Sequence, residues 1–458
     1  MTLRPLFPTV DTLGINTDLY ELTMAAAYFE GGFSESRATF ELFTRRLPRR
    51  RTFLLAAGLE QALHYITHVE FGPETIAYLR QLAPFKNVSD DFFDYLSNFR
   101  FTGDVYAMPE GTPFFENEPV LQVTAPVIEA QILETYLINT INVQTMVASK
   151  AARLCLAARG KSIVDFGSRR AHGPQTGVLA ARAAYIGGAA GTSNVLAGFE
   201  TGIPVYGTMA HSFVQFFDSE KEAFELFRRT FPNHSTILVD TYDTIEGVRK
   251  AISLEGPINA VRLDSGDLAA LAVEVRKLLD SEGHKDVAII ASGSLDEEKI
   301  LAFSLKDAPI DSYGVGTELV TSGDAPGCDL VYKLVETFKD GEAQPRFKAS
   351  KDKATLPYRK QVFRRCRCGE FWEDVIGRCD EELDADEEVR PLLKQYIKDG
   401  QLITELPHIT EIREYAKSQL DRLRPEYKNL HTAEVYPVSF SRLLLEALEA
   451  LQSHYLPG

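Results

Sequence analysis

From about residue 160 the chain repeats one pattern: a short apolar run rich in β-branched residues, a small or polar turn, then a helical segment. The runs are "SIVDFG", "IPVYGT", "TILVDT", "AVRLDSG", "VAIIASG" and "SYGVGT". Strands that alternate with helices make βαβ units and a parallel sheet. Six such units point to an α/β fold, a barrel or partial parallel barrel more than an open sheet.

Every run ends in polar chemistry. Asp165 and Arg169 follow the first, Thr208 and His211 the second, and Asp240 and Asp243 the third. Arg262 and Asp264 end the fourth, Ser292 and Gly293 the fifth, Gly316 and Thr317 the sixth. Parallel barrels build active sites at C-terminal strand ends. Turns and helix caps also need Gly, Asp and Ser there, so one such end would carry no weight. Six, with two arginines and a histidine, favour an anion-binding mouth.

The flanks differ. Residues 1–130 read as an α+β domain: "ATFELFTRR" alternates like a strand, "LAAGLEQALHYI" like a helix, and "GDVYAMPEGTPFFENEPVLQVTAP" like two strands with turns. A long helical stretch, "VIEAQILETYLINTINVQTMVASKAARLCLAA", runs across the boundary with the barrel region, which is taken as 131–330. Residues 331–458 read as a segment returning to the first domain: a hairpin in "VYKLVETFKDGEAQPRFKAS", an acidic run "DEELDADEE", and a helix in "ITEIREYAKSQLDRL".

Charge narrows the partners. Lys+Arg 49 against Asp+Glu 65 gives −16 over 458 residues, which argues against a nucleic-acid or anionic-membrane binder. The basic "RRLPRRR" (Arg45–Arg51) is either a solvated strand edge or an anion-facing loop. The opening "MTLRPLFPTVDTLG" has no apolar leader core, and no 18-residue apolar run occurs, so a cytoplasmic protein is expected. Cys366, Cys368 and Cys379 cluster in "CRCGEFWEDVIGRC" without a nearby fourth ligand, so reduced structural thiols are expected rather than zinc.

Within the barrel, "ASGSLDEEKI" and "GVGTELVTSG" are small-residue turns ahead of helices, where backbone amides can approach a phosphate. "VRLDSGD" sets Arg262 and Asp264 on one side of a strand. Such a pair is either a plain ion pair or a holder of an anionic ligand, its Asp meeting a sugar hydroxyl or Mg²⁺.

Five motifs in order, "NTDLYELTMAAAYFE", "VDFGSRRAHGP", "GTSNVLAG", "GTMAHSF" and "VRLDSGDL", resemble nicotinate phosphoribosyltransferases of the type II phosphoribosyltransferase group. The resemblance runs from about residue 10 to residue 365. It implies a homodimeric enzyme, an irregular α/β barrel packed on an α+β domain, that joins nicotinate to 5-phosphoribosyl 1-pyrophosphate and couples this to hydrolysis of ATP with Mg²⁺. It implies phosphorylation of His211, and Tyr20 from the neighbouring subunit stacking on the pyridine ring opposite Phe166. Thr208, Arg262 and Arg169 are implied in the nicotinate pocket, Ser292, Gly293, Gly316 and Thr317 at the 5′-phosphate, and Asp240 and Asp264 by the ribose and Mg²⁺-pyrophosphate.

Ser193 bears on which pyridine is used. Nicotinamide-using relatives carry an aspartate at the matching position, whereas a neutral hydroxyl accepts the carboxylate of nicotinate. The alternative, Ser193 as N-cap of the helix in "SNVLAG", can hold as well. A lone His211 could likewise merely cap a loop. Rival activities are nicotinamide or quinolinate phosphoribosyl transfer, a sensor of pyridine or phosphosugar, and a phosphosugar isomerase or aldolase on the same barrel.

Overall fold

The computed structural model describes residues 7–350, 354–383, 388–431 and 434–455. Part of the acidic run, residues 384–387, lies outside them.

The first body is an antiparallel sheet covered by helices. Its central strand Arg37–Thr44 has seven of eight residues buried and pairs with Pro119–Pro126 on one side and Leu330–Lys339 on the other. Asp104–Ala107 extends it, and Lys394–Lys398 pairs beyond that. Residues from both ends of the chain therefore share one sheet. The stretch read as two strands forms three, because the two-residue strand Pro113–Phe114 pairs with Leu54–Leu55.

The tail holds more strand than its sequence suggests. Lys360–Arg367 and Glu370–Arg378 form a hairpin, flanked by Glu388–Pro391 and Val438–Phe440. Its two-residue turn, Cys368-Gly369, has φ of 50° and 86°. That backbone is the usual hairpin turn, but Cys is not a residue that announces it. Cys366 is buried and Cys368 and Cys379 are exposed, all as free thiols.

The helix Glu134–Ala158 joins the bodies. Leu137, Ile141 and Met146 enter the core of the first, while Val147, Ala148, Ala151 and Leu154 enter that of the barrel. It ends at Arg159 and Gly160, both left-handed, as helix stops commonly are.

The barrel is a six-stranded parallel sheet in the spatial order Gly191–Thr192, Ser162–Asp165, Ser312–Val315, Ala288–Ser292, Ala260–Leu263, Thr236–Leu238. This is the parallel barrel that the alternation predicts, with the irregularity and the added α+β body that the family resemblance implies. One strand is displaced from its expected place: "IPVYGT" makes only a bridge at Val205, and the regular strand is Gly191–Thr192. The 204–206 segment runs beside it through Thr192 N to Pro204 O and Tyr206 N to Thr192 O. A side chain closes the remaining gap, as Thr208 Oγ1 donates to the Thr236 carbonyl at 2.7 Å.

Candidate active site

The strand Ala260–Leu263 carries Arg262 to the C-terminal end of the barrel, with Asp264 one residue past it. Facing the same way, they pair: Arg262 Nη2 donates to Asp264 Oδ1 at 2.9 Å. Arg262 Nε donates to Ser292 Oγ at 2.8 Å and Nη1 to the Met209 carbonyl at 3.1 Å. Ser292, last residue of the adjacent strand, donates to the same Asp264 oxygen at 2.5 Å. Burial pushes the Asp264 carboxyl up, but the bonds from Ser292 and Arg262 outweigh it and hold the group below the usual carboxylate range.

Asp240 follows the strand Thr236–Leu238, and one of its oxygens is fully engaged. Its Oδ2 accepts from Asp264 N at 2.9 Å and from Ser265 Oγ at 2.7 Å. Its Oδ1 is buried and has no hydrogen-bond partner. His211, first residue of the short helix His211–Gln215, turns toward that oxygen. His211 Nε2 lies 4.0 Å from Asp240 Oδ1 and 3.8 Å from Asp264 Oδ2, while Nδ1 lies 3.2 Å from Thr241 Oγ1. The imidazole is 38% exposed, so a ligand can reach it.

A buried carboxylate oxygen without a donor costs free energy unless something positive meets it. Asp240 Oδ1, with Asp264 Oδ2 nearby, has the donor chemistry for a divalent cation that keeps most of its water. Among the described residues, no group of three or more His, Cys, Asp or Glu side chains could hold a metal ion alone.

Across the mouth, Phe166 N donates to the Val315 carbonyl at 2.8 Å. Its ring occupies space that Gly314 leaves free: a Cβ on Gly314 would lie 2.3 Å from it. The Arg262 guanidinium carbon is 5.8 Å from the ring centroid, so the two flank one space. Buried Asp165 organises this side, taking Gly167 N at 2.8 Å and Thr192 Oγ1 at 2.7 Å. Ser193 N donates to the Asp165 carbonyl at 2.8 Å, which sets Ser193 beside Phe166. The cap of the following helix is not Ser193 but Asn194, whose side chain accepts from Ala197 N at 2.9 Å.

Gly293 and Gly316 begin the turns after adjacent strands, paired Ser292 to Gly314. Gly293 has φ +94°, and a Cβ there would lie 2.0 Å from the Asp264 carbonyl oxygen. Only glycine fits. Gly316 caps the helical turn Thr317–Val320, and Thr317 is exposed at its start. Arg169 is exposed on the turn Ser168–Arg170. Asp243, counted among the strand-end acids, caps the helix Thr244–Ile252 through Glu246 N at 2.9 Å.

Tyr20 is not brought to this group. It is exposed on the helix Leu19–Glu30, where it lines a surface pocket with Asp18, Glu134, Asn139 and Asn142. Two contributors were absent from the sequence reading, Thr241 and Ser265. Each directly follows an acid of a strand-end motif, Asp240 and Asp264, and the hydroxyl beside the acid is the signal that could have found it.

The barrel that carries these acids, the histidine and the glycine turns at its strand ends is of the phosphoribosyltransferase class, because residues 147–325 match the C-terminal domain of quinolinate phosphoribosyl transferase. Residues 15–142 match the nicotinate phosphoribosyltransferase N-terminal domain and 359–448 its C-terminal domain. The chain is 46% identical over 444 residues to nicotinate phosphoribosyltransferase pncB2 of Mycobacterium tuberculosis, covering 95% of this chain and 93% of that one. It is 39% identical to the Bacillus subtilis nicotinate phosphoribosyltransferase, over 94% and 93% of the two chains. The crystal structure of human nicotinic acid phosphoribosyltransferase superposes with a TM-score of 0.84 at 29% identity, covering 95% and 99%. The chain belongs to the nicotinate phosphoribosyltransferase family. Among the described residues no helix is long and apolar enough to cross a membrane.

Proposed function

We propose that this chain joins nicotinate to 5-phosphoribosyl 1-pyrophosphate, giving nicotinate mononucleotide and pyrophosphate, and couples the reaction to ATP hydrolysis through a phosphohistidine at His211, in NAD salvage. The observation that carries the reading is the convergence of His211 Nε2 on two carboxylates, one with a buried, unpartnered oxygen, in a chain of this family.

Transfer at ribose C1 develops positive charge, which a fixed carboxylate stabilises. Asp264 suits this role because Ser292 and Arg262 keep it ionised and in place. Asp240 Oδ1 and Asp264 Oδ2 would hold Mg²⁺, which supplies the charge that lets pyrophosphate leave. Nicotinate would lie beside Phe166, its carboxylate meeting the Ser193 hydroxyl and the charge of Arg262, with Thr208 and Arg169 at the pocket edge. The 5′-phosphate would rest on the backbone of Gly293, Gly316 and Thr317 next to Ser292.

A neutral His211 nitrogen can accept a phosphoryl group from ATP. The product carries about two negative charges beside Asp240 and Asp264, so it changes affinity for Mg²⁺ and the sugar pyrophosphate. Couplings of this kind amount to about 1–3 kcal/mol.

We also propose a homodimer in which Tyr20 of one copy completes the site of the other. The exposed position of Tyr20 supports it, as do Phe199 on the helix Val195–Thr201 and Phe216 at the end of the helix His211–Gln215, each 83% exposed. The deciding assay compares kcat/KM for nicotinate and nicotinamide with 5-phosphoribosyl 1-pyrophosphate and Mg²⁺-ATP. Strong preference for nicotinate is expected; equal or better use of nicotinamide contradicts the assignment.

A further inference from the structure

We propose that Lys150, outside the barrel mouth, is the positioning residue that sets the two phosphate turns at their working distance; this rests on Gly293 and Gly316 holding the 5′-phosphate. Lys150 lies on the long helix Glu134–Ala158, its side chain 1% exposed. Its Nζ donates to Glu297 Oε2 at 2.6 Å, to Asp324 Oδ1 at 2.9 Å and to Glu318 Oε2 at 3.4 Å.

The places of these acids make the argument. Glu297 is the first residue of the helix Glu297–Leu305, which begins four residues after Gly293. Glu318 is the second residue of the turn Thr317–Val320, which follows Gly316 directly. One ammonium therefore ties the segment after each phosphate turn to a third, rigid element. Asp324 anchors the tie from the other side, taking Arg51 Nη1 at 2.6 Å and Nη2 at 3.0 Å. Arg153 Nε completes it on Glu297 Oε1 at 3.2 Å.

Three cations face three carboxylates in this cluster, so the acids beneath the cradle are neutralised locally. Left unpaired, Glu297 and Glu318 would repel a phosphate dianion from the turns they follow. Arg51 belongs to the basic Arg45–Arg51 cluster, and it serves here as an internal ion pair, its side chain fully buried. A cavity of about 230 Å³ lined by Arg50, Lys150, Arg153 and His431 borders the cluster, leaving room for the turns to shift when the tie is cut.

The test uses ribose 5-phosphate, which carries the 5′-phosphate without the pyrophosphate, and titrates it and nicotinate separately into the full-length protein. Wild type should bind both. Lys150→Met should weaken ribose 5-phosphate about tenfold or more, with nicotinate affinity unchanged and Lys150→Arg restoring much of the loss. Because Lys150→Met strands buried carboxylates and can unfold the chain, Lys150→Gln/Glu297→Gln keeps net charge and should show the same selective loss. Ribose 5-phosphate binding at wild-type strength in the folded Lys150→Met protein or in the double variant overturns the proposal. A wild type that binds nicotinate but no ribose 5-phosphate overturns the cradle assignment itself.

Discussion

Gly293→Ala isolates the geometry of the phosphate turn. The added Cβ would stand 2.0 Å from the Asp264 carbonyl oxygen, where ordinary contact begins at 3.4 Å, so the turn or the Asp264 backbone must yield by about 1.4 Å. Asp264 cannot move alone, because its amide is bonded to Asp240 and its carboxylate to Arg262 and Ser292. A misplacement of about 1 Å in a preorganised site can cost roughly 10²-fold in rate. The positive φ of +94° adds about 1–2 kcal/mol of backbone strain. Gly283→Ala is the control, with φ +87° and nothing within 4 Å of its Cβ, so it bears the strain without the collision. Steady-state kinetics should show kcat/KM for 5-phosphoribosyl 1-pyrophosphate down about 10²-fold in Gly293→Ala and near wild type in Gly283→Ala. If Gly293→Ala stays within about threefold of wild type, the turn does not position the reacting sugar.

Ser193→Asp puts a charge beside the nicotinate carboxylate, worth roughly 4 kcal/mol at about 4 Å and an effective dielectric near 20, so kcat/KM for nicotinate should fall about 10²- to 10³-fold while the melting temperature changes little; an unchanged kcat/KM removes Ser193 from the pocket. Mixing inactive Tyr20→Ala with inactive Arg262→Ala protomers should restore activity, since one site of each mixed dimer is intact; no rescue under proven subunit exchange means the site lies within one chain. Glu118 is buried, and burial and the neighbouring Asp374 carboxylate push its carboxyl up despite Arg364. A raised folded-state pKa gives stability that is present below the usual carboxylate range and is lost as pH rises through the folded value. Glu118→Gln should therefore melt higher than wild type at pH 8 by about 2–4 °C and match it at pH 5; a variant that melts lower at pH 8 than at pH 5, relative to wild type, refutes the sign.

The barrel was legible because its strands are short, β-branched and closed by polar turns, and that texture survives in one dimension. Gly191–Thr192 escaped notice because a two-residue strand carries no periodicity, and its pairing partners lie elsewhere in the chain. The tail hairpin hid behind charged residues: Arg364 and Asp374 look solvent-facing, yet they are a buried pair, with the Arg364 guanidinium over the Phe371 ring. His211, Asp240 and Asp264 could be listed from motifs, but not that one Asp240 oxygen is left without a hydrogen-bond partner. The Lys150 cluster was invisible for a plainer reason. Its three acids stand 147 to 174 residues from Lys150, and only folding puts three carboxylates around one ammonium.

The phosphoryl acceptor is the claim most exposed to direct measurement. Wild type and His211→Asn are mixed with Mg²⁺-ATP and their intact masses recorded before and after brief acid treatment. The account predicts an added mass of about 80 Da on wild type, lost in acid as a phosphohistidine is, and absent from a folded His211→Asn that no longer hydrolyses ATP. An adduct of equal yield on His211→Asn, or ATP hydrolysis by that variant at the wild-type rate, contradicts it.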